Sequence, residues 1–262
     1  MTTAVVGTQR PRRLPAPMHY LLHSVCLTAG NTGFTVFSVI TPLVLYVVFS
    51  QIFGGASGGG GDIDWAALYM VSMAAYGSLG AAMGGGAQLA VERRSGWFRQ
   101  LTITTLRPRE FLLAKAAVIM IMVLPALILV FVAGYVVGGV RAPFGAWLAA
   151  LLLMWVSLIP LTILGLVIGL WVKAETVQPL NVLVMLVMAL LGGLWFPAQL
   201  MPEAMQRVAE FMPSYWLASL GRYPIIGGPF PWQGVLVLLG WTIALTILGA
   251  LGYRRAAANS KR

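Results

Sequence analysis

The sequence predicts an all-α membrane protein with six transmembrane helices, and three observations carry that expectation. First, 59% of its 262 residues are apolar and 9% charged, with a mean hydropathy of +0.87. A soluble domain carries roughly a quarter charged residues, because polar surface has to cover its core. Second, apolar runs of bilayer-spanning length succeed one another from about Phe34 to Tyr253. Third, the charges fall in the gaps between those runs, and no run has one near its middle. A single membrane domain, residues 18–253, is the expected organisation, flanked by basic tails at 1–17 and 254–262.

Residues 1–17, with Arg10-Pro11-Arg12-Arg13, read as a disordered tail. They are basic and polar for longer than a signal peptide allows, and no small-residue cleavage pattern follows. Residues 18–29 are too short and too polar to span and read as an interfacial helix. His19 and His23 lie one turn apart there, but no third ligand is near, so no metal site is expected. Cys26, the only cysteine, excludes an internal disulfide. Span 1 is Phe34 to Phe53, containing Pro42. The tract from Gly54 to Asp62 holds six glycines and cannot be helical. Span 2, Trp65 to Ala90, carries Gly80 and Gly84, a small-xxx-small pair suited to close helix packing.

The charged stretch from Glu92 to Glu110 follows. Arg93, Arg94 and Arg99 require water, anionic headgroups or acidic partners, whereas Trp97, Phe98 and Leu101 recur at helical spacing and require an apolar surface. An amphipathic helix at the membrane face satisfies both, and its wet side is free for another protein to grip. Span 3 covers Phe111 to Val137, longer than the ~20 residues a bilayer needs, so it tilts or bends near Pro125 and Gly134. Span 4 is Phe144 to Val172, with Pro160 and the Gly165/Gly169 pair. Span 5 runs from Val177 to about Leu194, where Trp195-Phe196-Pro197 is expected to break it. A short helix then opens at Met201-Pro202-Glu203, with proline and an acid in its first turn. Pro213 ends it, and Tyr215-Trp216 turns back, so residues 195–220 read as an external re-entrant hairpin. Span 6 is Gly234 to Gly252.

Six spans place both termini on one side. Fourteen of the 17 Lys and Arg residues then share that side, and Arg141, Arg207 and Arg222 lie opposite. The positive-inside rule makes the fourteen cytosolic, where they face anionic lipid, which removes the case for nucleic acid. The absence of mid-span charge argues against proton-coupled carriers. No GxxxxGK[ST] phosphate loop is present. Tyr76-Gly77-Ser78-Leu79-Gly80 has no histidine beyond residue 23 to serve as a base, so the chain is expected to be no enzyme.

Several of these pieces resemble one family. The charged helix opens Glu92-Arg93 and contains Gly96, with Pro108 just before span 3. Then come Gly193-Leu194-Trp195-Phe196-Pro197, Met201-Pro202 and Pro213-Ser214-Tyr215. In order and topology these resemble the permease subunit of ABC-2 type transporters, the group that includes bacterial drug and antibiotic exporters. The resemblance implies a subunit of the bacterial inner membrane that forms a homodimer, or pairs with a paralogous permease, and binds two copies of a separate ABC ATPase. ATP and Mg would belong to that partner, with no cofactor in this chain. Residues 92–106 would be the coupling helix, with Glu92, Arg93, Arg94, Gly96, Trp97, Phe98 and Leu101 meeting the ATPase. The pathway would run near spans 1, 2 and 5, past Phe34, Phe37, Thr41, Asn181, Met185, Met188 and Trp195. Phe196, Pro197, Met201, Pro202, Pro213 and Tyr215 would shape the external hairpin.

The implied cargo is a hydrophobic or amphiphilic small molecule such as a drug, antibiotic or lipid-like compound. Polysaccharide or teichoic-acid export is the rival within the family. A membrane sensor or assembly subunit that moves nothing is the rival outside it. An ATP-independent carrier would usually carry an internal repeat, and the two halves show none.

Overall fold

The computed structural model of the chain describes residues 36–54, 64–95 and 108–259. The tail at 1–17, the interfacial segment 18–29, Phe34, the glycine tract and the stretch 96–107 lie outside them. Among the described residues all regular structure is helical. The helices are α1 (Thr41–Gly54), α2 (Trp65–Arg94), α3 (Pro108–Val136), α4 (Phe144–Ser157), α5 (Ile159–Trp171), α6 (Val177–Leu191), α7 (Glu203–Ala209), α8 (Pro213–Ile226) and α9 (Trp232–Asn259). Four stretches are long and apolar enough to cross a membrane: Trp65–Arg94, Glu110–Val136, Phe144–Trp171 and Trp232–Tyr253. Two apolar helices, Ser38–Phe53 and Val177–Leu191, are shorter.

Helix α2 is the axis of the bundle, touching α1, α3, α5, α6 and α8. Asp64 starts it, its carboxylate accepting the Ala67 N–H at 2.9 Å. It is the least apolar of the four long stretches and the most buried, 83% against 17% for α9. In lipid, apolarity alone does not draw helices together, since the tails are as apolar as the side chains. Small residues that let backbones approach do so. A Cβ added at Gly86 would sit 1.9 Å from the Gly165 carbonyl oxygen. One at Gly165 would sit 2.3 Å from the Ala82 oxygen, and one at Gly169 2.3 Å from the Gly86 oxygen. The α2–α5 crossing is therefore backbone on backbone. Gly165/Gly169 play the role expected of them against Gly86 and Ala82 of α2, while Gly85 meets Ile119 of α3 and Gly77 meets Pro42 of α1; Gly80 and Gly84 are half-exposed.

Prolines set the irregularities. Pro42 has no N–H for the Ser38 carbonyl, and the chain widens into a π turn at Val36–Ile40 before α1. Pro125 lies inside α3, and the Trp155 indole N–H donates to the Met120 carbonyl at 2.9 Å, one residue before the carbonyl this proline leaves without a helical donor. The expected span 4 is one membrane-length stretch, Phe144–Trp171, with a local break at Leu158 between α4 and α5, where Pro160 in the first turn of α5 brings no N–H. Span 5 ends earlier than expected. Gly192-Gly193 closes α6 at Leu191, with Gly193 at φ +68° and the Leu194 N–H on the Ala189 carbonyl at 2.9 Å. That left-handed glycine cap precedes Trp195-Phe196-Pro197, which only continues the turn.

The chain then forms a 3-10 turn at Ala198–Leu200, α7 and α8. Helix α8 continues to Ile226, six residues beyond the expected hairpin. It is a wedge and not a surface strip: Trp216, Leu217, Ala218, Leu220 and Gly221 are buried, and it packs on α4, α2, α9 and α6. Indole donors fix its approach, Trp216 to the Glu210 carbonyl at 2.6 Å and Trp241 of α9 to the Phe211 carbonyl at 2.9 Å.

The crossing makes a testable statement. Gly86→Val forces α2 and α5 apart and is expected to destabilise by about 3 kcal/mol or more, above the usual overpacking cost because backbone is in the way. Gly240→Ala in α9, where an added Cβ meets nothing within 4 Å, is expected to leave stability unchanged or slightly raised. Thermal unfolding and size-exclusion profiles of the detergent-purified variants distinguish the two. Equal melting points would contradict the crossing.

Candidate functional site

The charged end of α2 is where sequence and structure meet most closely. Glu92, Arg93 and Arg94 form its last helical turn, continuous with span 2, and each is fastened within the chain. The Lys115 ammonium of α3 donates to Glu92 Oε1 at 2.5 Å, with the lysine side chain 5% and the glutamate 25% exposed. The Arg93 guanidinium donates to the carbonyls of Leu170 and Val172, the latter at 2.7 Å. The Leu170 carbonyl is among those at the α5 C-terminus that have no intrahelical donor, so Arg93 caps that helix. Arg94 pairs with Glu175 at 2.8 Å on open surface. Both Glu92 and Arg93 thus have partners in their own chain. Gly96, Trp97, Phe98 and Leu101 lie outside the described residues.

Lys115 is the residue that sequence reasoning missed. It entered only as one of fourteen cytosolic charges. Its signal was its place one turn inside an apolar run, Phe111-Leu112-Leu113-Ala114-Lys115, where an ammonium needs an anion, and Glu92 is the acid at the facing end of span 2.

The residues expected near a pathway divide. Phe37 belongs to the π turn, and Thr41 is half-buried at the start of α1. Asn181 is buried, its amide donating to the Met83 carbonyl at 2.7 Å. Met188 is buried too, its carbonyl accepting from the Ser214 hydroxyl at 2.7 Å, and Met185 is packed on the core. Trp195 lies against Tyr76, centroids 5.6 Å apart. This face of α6 therefore turns onto α2, while Val182, Leu183, Leu186 and Val187 face outward. On α2 a half-exposed ridge, Tyr76, Gly80, Gly84 and Gln88, runs from the Trp195 contact toward Glu92. No residue in the sequence reading had been assigned to that ridge as a surface.

The hairpin residues occupy the opposite end. Phe196 and Pro202 are exposed, Met201 is half-buried, and Pro197 and Pro213 are buried. Tyr215 meets Trp216 edge-on at 4.9 Å. Between the hairpin and the start of α2 lies a cavity of about 330 Å³, lined in part by Trp65, Gln199, Leu200, Arg222 and Tyr223. Among the described residues no group of three or more His, Cys, Asp or Glu side chains is placed to hold a metal.

An all-helical bundle with a backbone-to-backbone crossing in its apolar middle and its ionic contacts at the ends is an integral membrane protein. Comparison narrows the class. Residues 21–226 match the family described as ABC-2 type transporter, and the chain belongs to that family. It is 26% identical over 230 residues to a Bacillus subtilis (strain 168) protein named "Putative transport permease YvfS", across 87% of this chain and 93% of the relative. The chain is accordingly a membrane transport permease.

The buried amide gives a measurable expectation. Asn181→Ala removes the bond to the Met83 carbonyl and should lower stability by about 1 kcal/mol, the scale of interhelical hydrogen bonds in membranes. Asn181→Asp places a carboxylate opposite that carbonyl and should cost several-fold more. Thermal unfolding of the purified variants gives the order, and Asp tolerated as well as Ala would show that the site is wet.

Proposed function

We propose that this chain is the membrane subunit of an ATP-driven exporter of hydrophobic or amphiphilic small molecules, worked by a separate ABC ATPase that grips residues 96–107. The Glu92–Lys115 ion pair carries the reading. These two residues flank the segment, one at the end of α2 and the other one turn into α3, and their bond closes its base. Arg93 extends the same base to α5. A pull on 96–107 is then delivered to α2, α3 and α5 as one body. Trp97, Phe98 and Leu101 supply the apolar grip, and Arg99 the charge toward the partner.

The topology that goes with this reading is six spans, the four long stretches plus the two shorter helices, with both termini and the Glu92 end in the cytosol. Helix α6 has 15 residues, about 22 Å at 1.5 Å per residue, less than the ~30 Å hydrocarbon core. The hairpin of α7 and α8 fills the missing depth on the outer side. Cargo moves along the Tyr76, Gly80, Gly84 and Gln88 ridge, where two copies of the chain meet.

The experiment is a charge cycle on the base, with the permease and its ATPase reconstituted in proteoliposomes. Glu92→Lys and Lys115→Glu singly are each expected to lower cargo-stimulated ATP hydrolysis and export about tenfold or more while the complex still assembles. The double swap is expected to recover much of the loss. Breaking a buried pair costs about 3–5 kcal/mol, and the partial exposure of Glu92 puts this one at the lower end. Export by the permease alone would end the reading, as would single variants that stay fully coupled.

A further inference from the structure

The cavity at the Trp65 end of the bundle plays no part in that coupling. Its chemistry is set by Arg222. One guanidinium nitrogen donates to the Ser72 hydroxyl at 2.8 Å, and that hydroxyl donates onward to the Leu68 carbonyl at 2.8 Å, so the arginine is held in place from below. Its Nε–H is buried and has no partner. The ion pairs among the described residues are Arg94–Glu175, Lys115–Glu92 and Arg207–Glu203, and none includes Arg222. Among the described residues, the ionisable groups near it are the phenols of Tyr69 and Tyr215. A guanidinium stays protonated at any physiological pH. Stripped of much of its water and given no counter-ion among the described residues, it favours an anion that accepts from its planar fork.

The walls define what carries that anion. Trp65 and Tyr223 flank the space, and Leu200 and Ile226 line it while remaining 70% and 45% exposed. A free phosphate would leave that apolar rim in water. An apolar chain attached to the anion would cover it. Gln199 lines the same space and adds an amide to the polar end.

We propose that this cavity binds the anionic head of an amphiphile, a phosphate or carboxylate on an apolar chain, with Arg222 on the head and Leu200 and Ile226 against the chain. The binding does not depend on the export reading and is measured without an ATPase. Full-length chain purified in dodecyl maltoside is titrated with dodecyl phosphate, dodecyltrimethylammonium and inorganic phosphate, and occupancy is read by native mass spectrometry.

Dodecyl phosphate is expected to bind saturably at one per chain. Arg222→Gln should weaken it about tenfold to a hundredfold, the value of a charge-assisted hydrogen bond, and Arg222→Lys should weaken it less. Leu200→Ser should weaken dodecyl phosphate and leave inorganic phosphate unchanged. Equal binding by wild type and Arg222→Gln overturns the proposal, as does dodecyltrimethylammonium binding as well as the phosphate. Inorganic phosphate binding as tightly as dodecyl phosphate overturns the amphiphile. If Arg222→Gln does not fold, Arg222→Lys and Leu200→Ser decide, and no effect from either overturns it. Nanodiscs separate the sources of the same chemistry. Displacement by phosphatidylglycerol and not phosphatidylcholine supports a bilayer lipid as occupant; retention of dodecyl phosphate in both supports a separate amphiphile.

Discussion

The contact of α2 with α5 is the constraint on which the rest of the bundle depends. At Gly86, Gly165 and Gly169 the two backbones approach so closely that an added Cβ would lie 1.9–2.3 Å from a carbonyl oxygen. Solvent cannot supply the drive for such a contact between helices in lipid; close packing has to. A backbone crossing provides the most of it for the least side-chain entropy, since glycine has no rotamers to lose. It also settles the neighbours. With α5 pressed onto one side of α2, the remaining sides accept α1, α3, α6 and α8, and the long apolar α9 is left on the outside against α5 and α8.

The same crossing explains the ionic base. Because α5 is held against α2, the end of α5 arrives at the end of α2, within reach of Arg93. Strengths differ across that base. Arg94–Glu175 is largely exposed on both sides, and such pairs contribute ~0–1 kcal/mol and are screened by salt. Glu92–Lys115 is mostly shielded, so it is screened less and breaking it costs more. The shielded pair is also the one that bridges the two ends of the 96–107 segment. The best shielded link of the base therefore sits at the foot of that segment.

Much of this was legible in the residues. The apolar runs located α1, α2, α3, α6, α9 and the α4–α5 stretch, because in lipid each backbone polar group has to be satisfied within its own helix. Gly165/Gly169 could be read as a packing pair for the same reason. With Gly77, Gly80, Gly84, Gly85 and Gly86 in one helix, sequence alone does not say which of them meets α5. Turn chemistry was misplaced. Trp195-Phe196-Pro197 looks like the stop, but Gly192-Gly193 acts first because only glycine accepts φ +68° without strain. The α6 stripe faces α2 within this chain, and the Asn181 amide finds a partner in the Met83 carbonyl, a contact that spacing along α6 alone does not specify. Lys115 and Arg222 escaped for one reason. Each was counted as a loop charge, and pairing with or without a counter-ion depends on tertiary neighbours that spacing does not reveal.

The two ends of α2 show how one helix carries both chemistries. At its C-terminus the macrodipole favours cations, and Arg93 and Arg94 lie there with acceptors at hand in the Leu170 and Val172 carbonyls and Glu175. Toward its N-terminus Ser72 turns Arg222 of α8 into the bundle. Ser72 lies two turns into the helix, and the helix start is capped by the Asp64 carboxylate. No ion pair among the described residues includes Arg222. An anion in the cavity would interact favourably with the guanidinium. The location of Arg222, set by the wedge of α8 between α4 and α2, is thus better explained by what the cavity holds than by the stability of the empty fold.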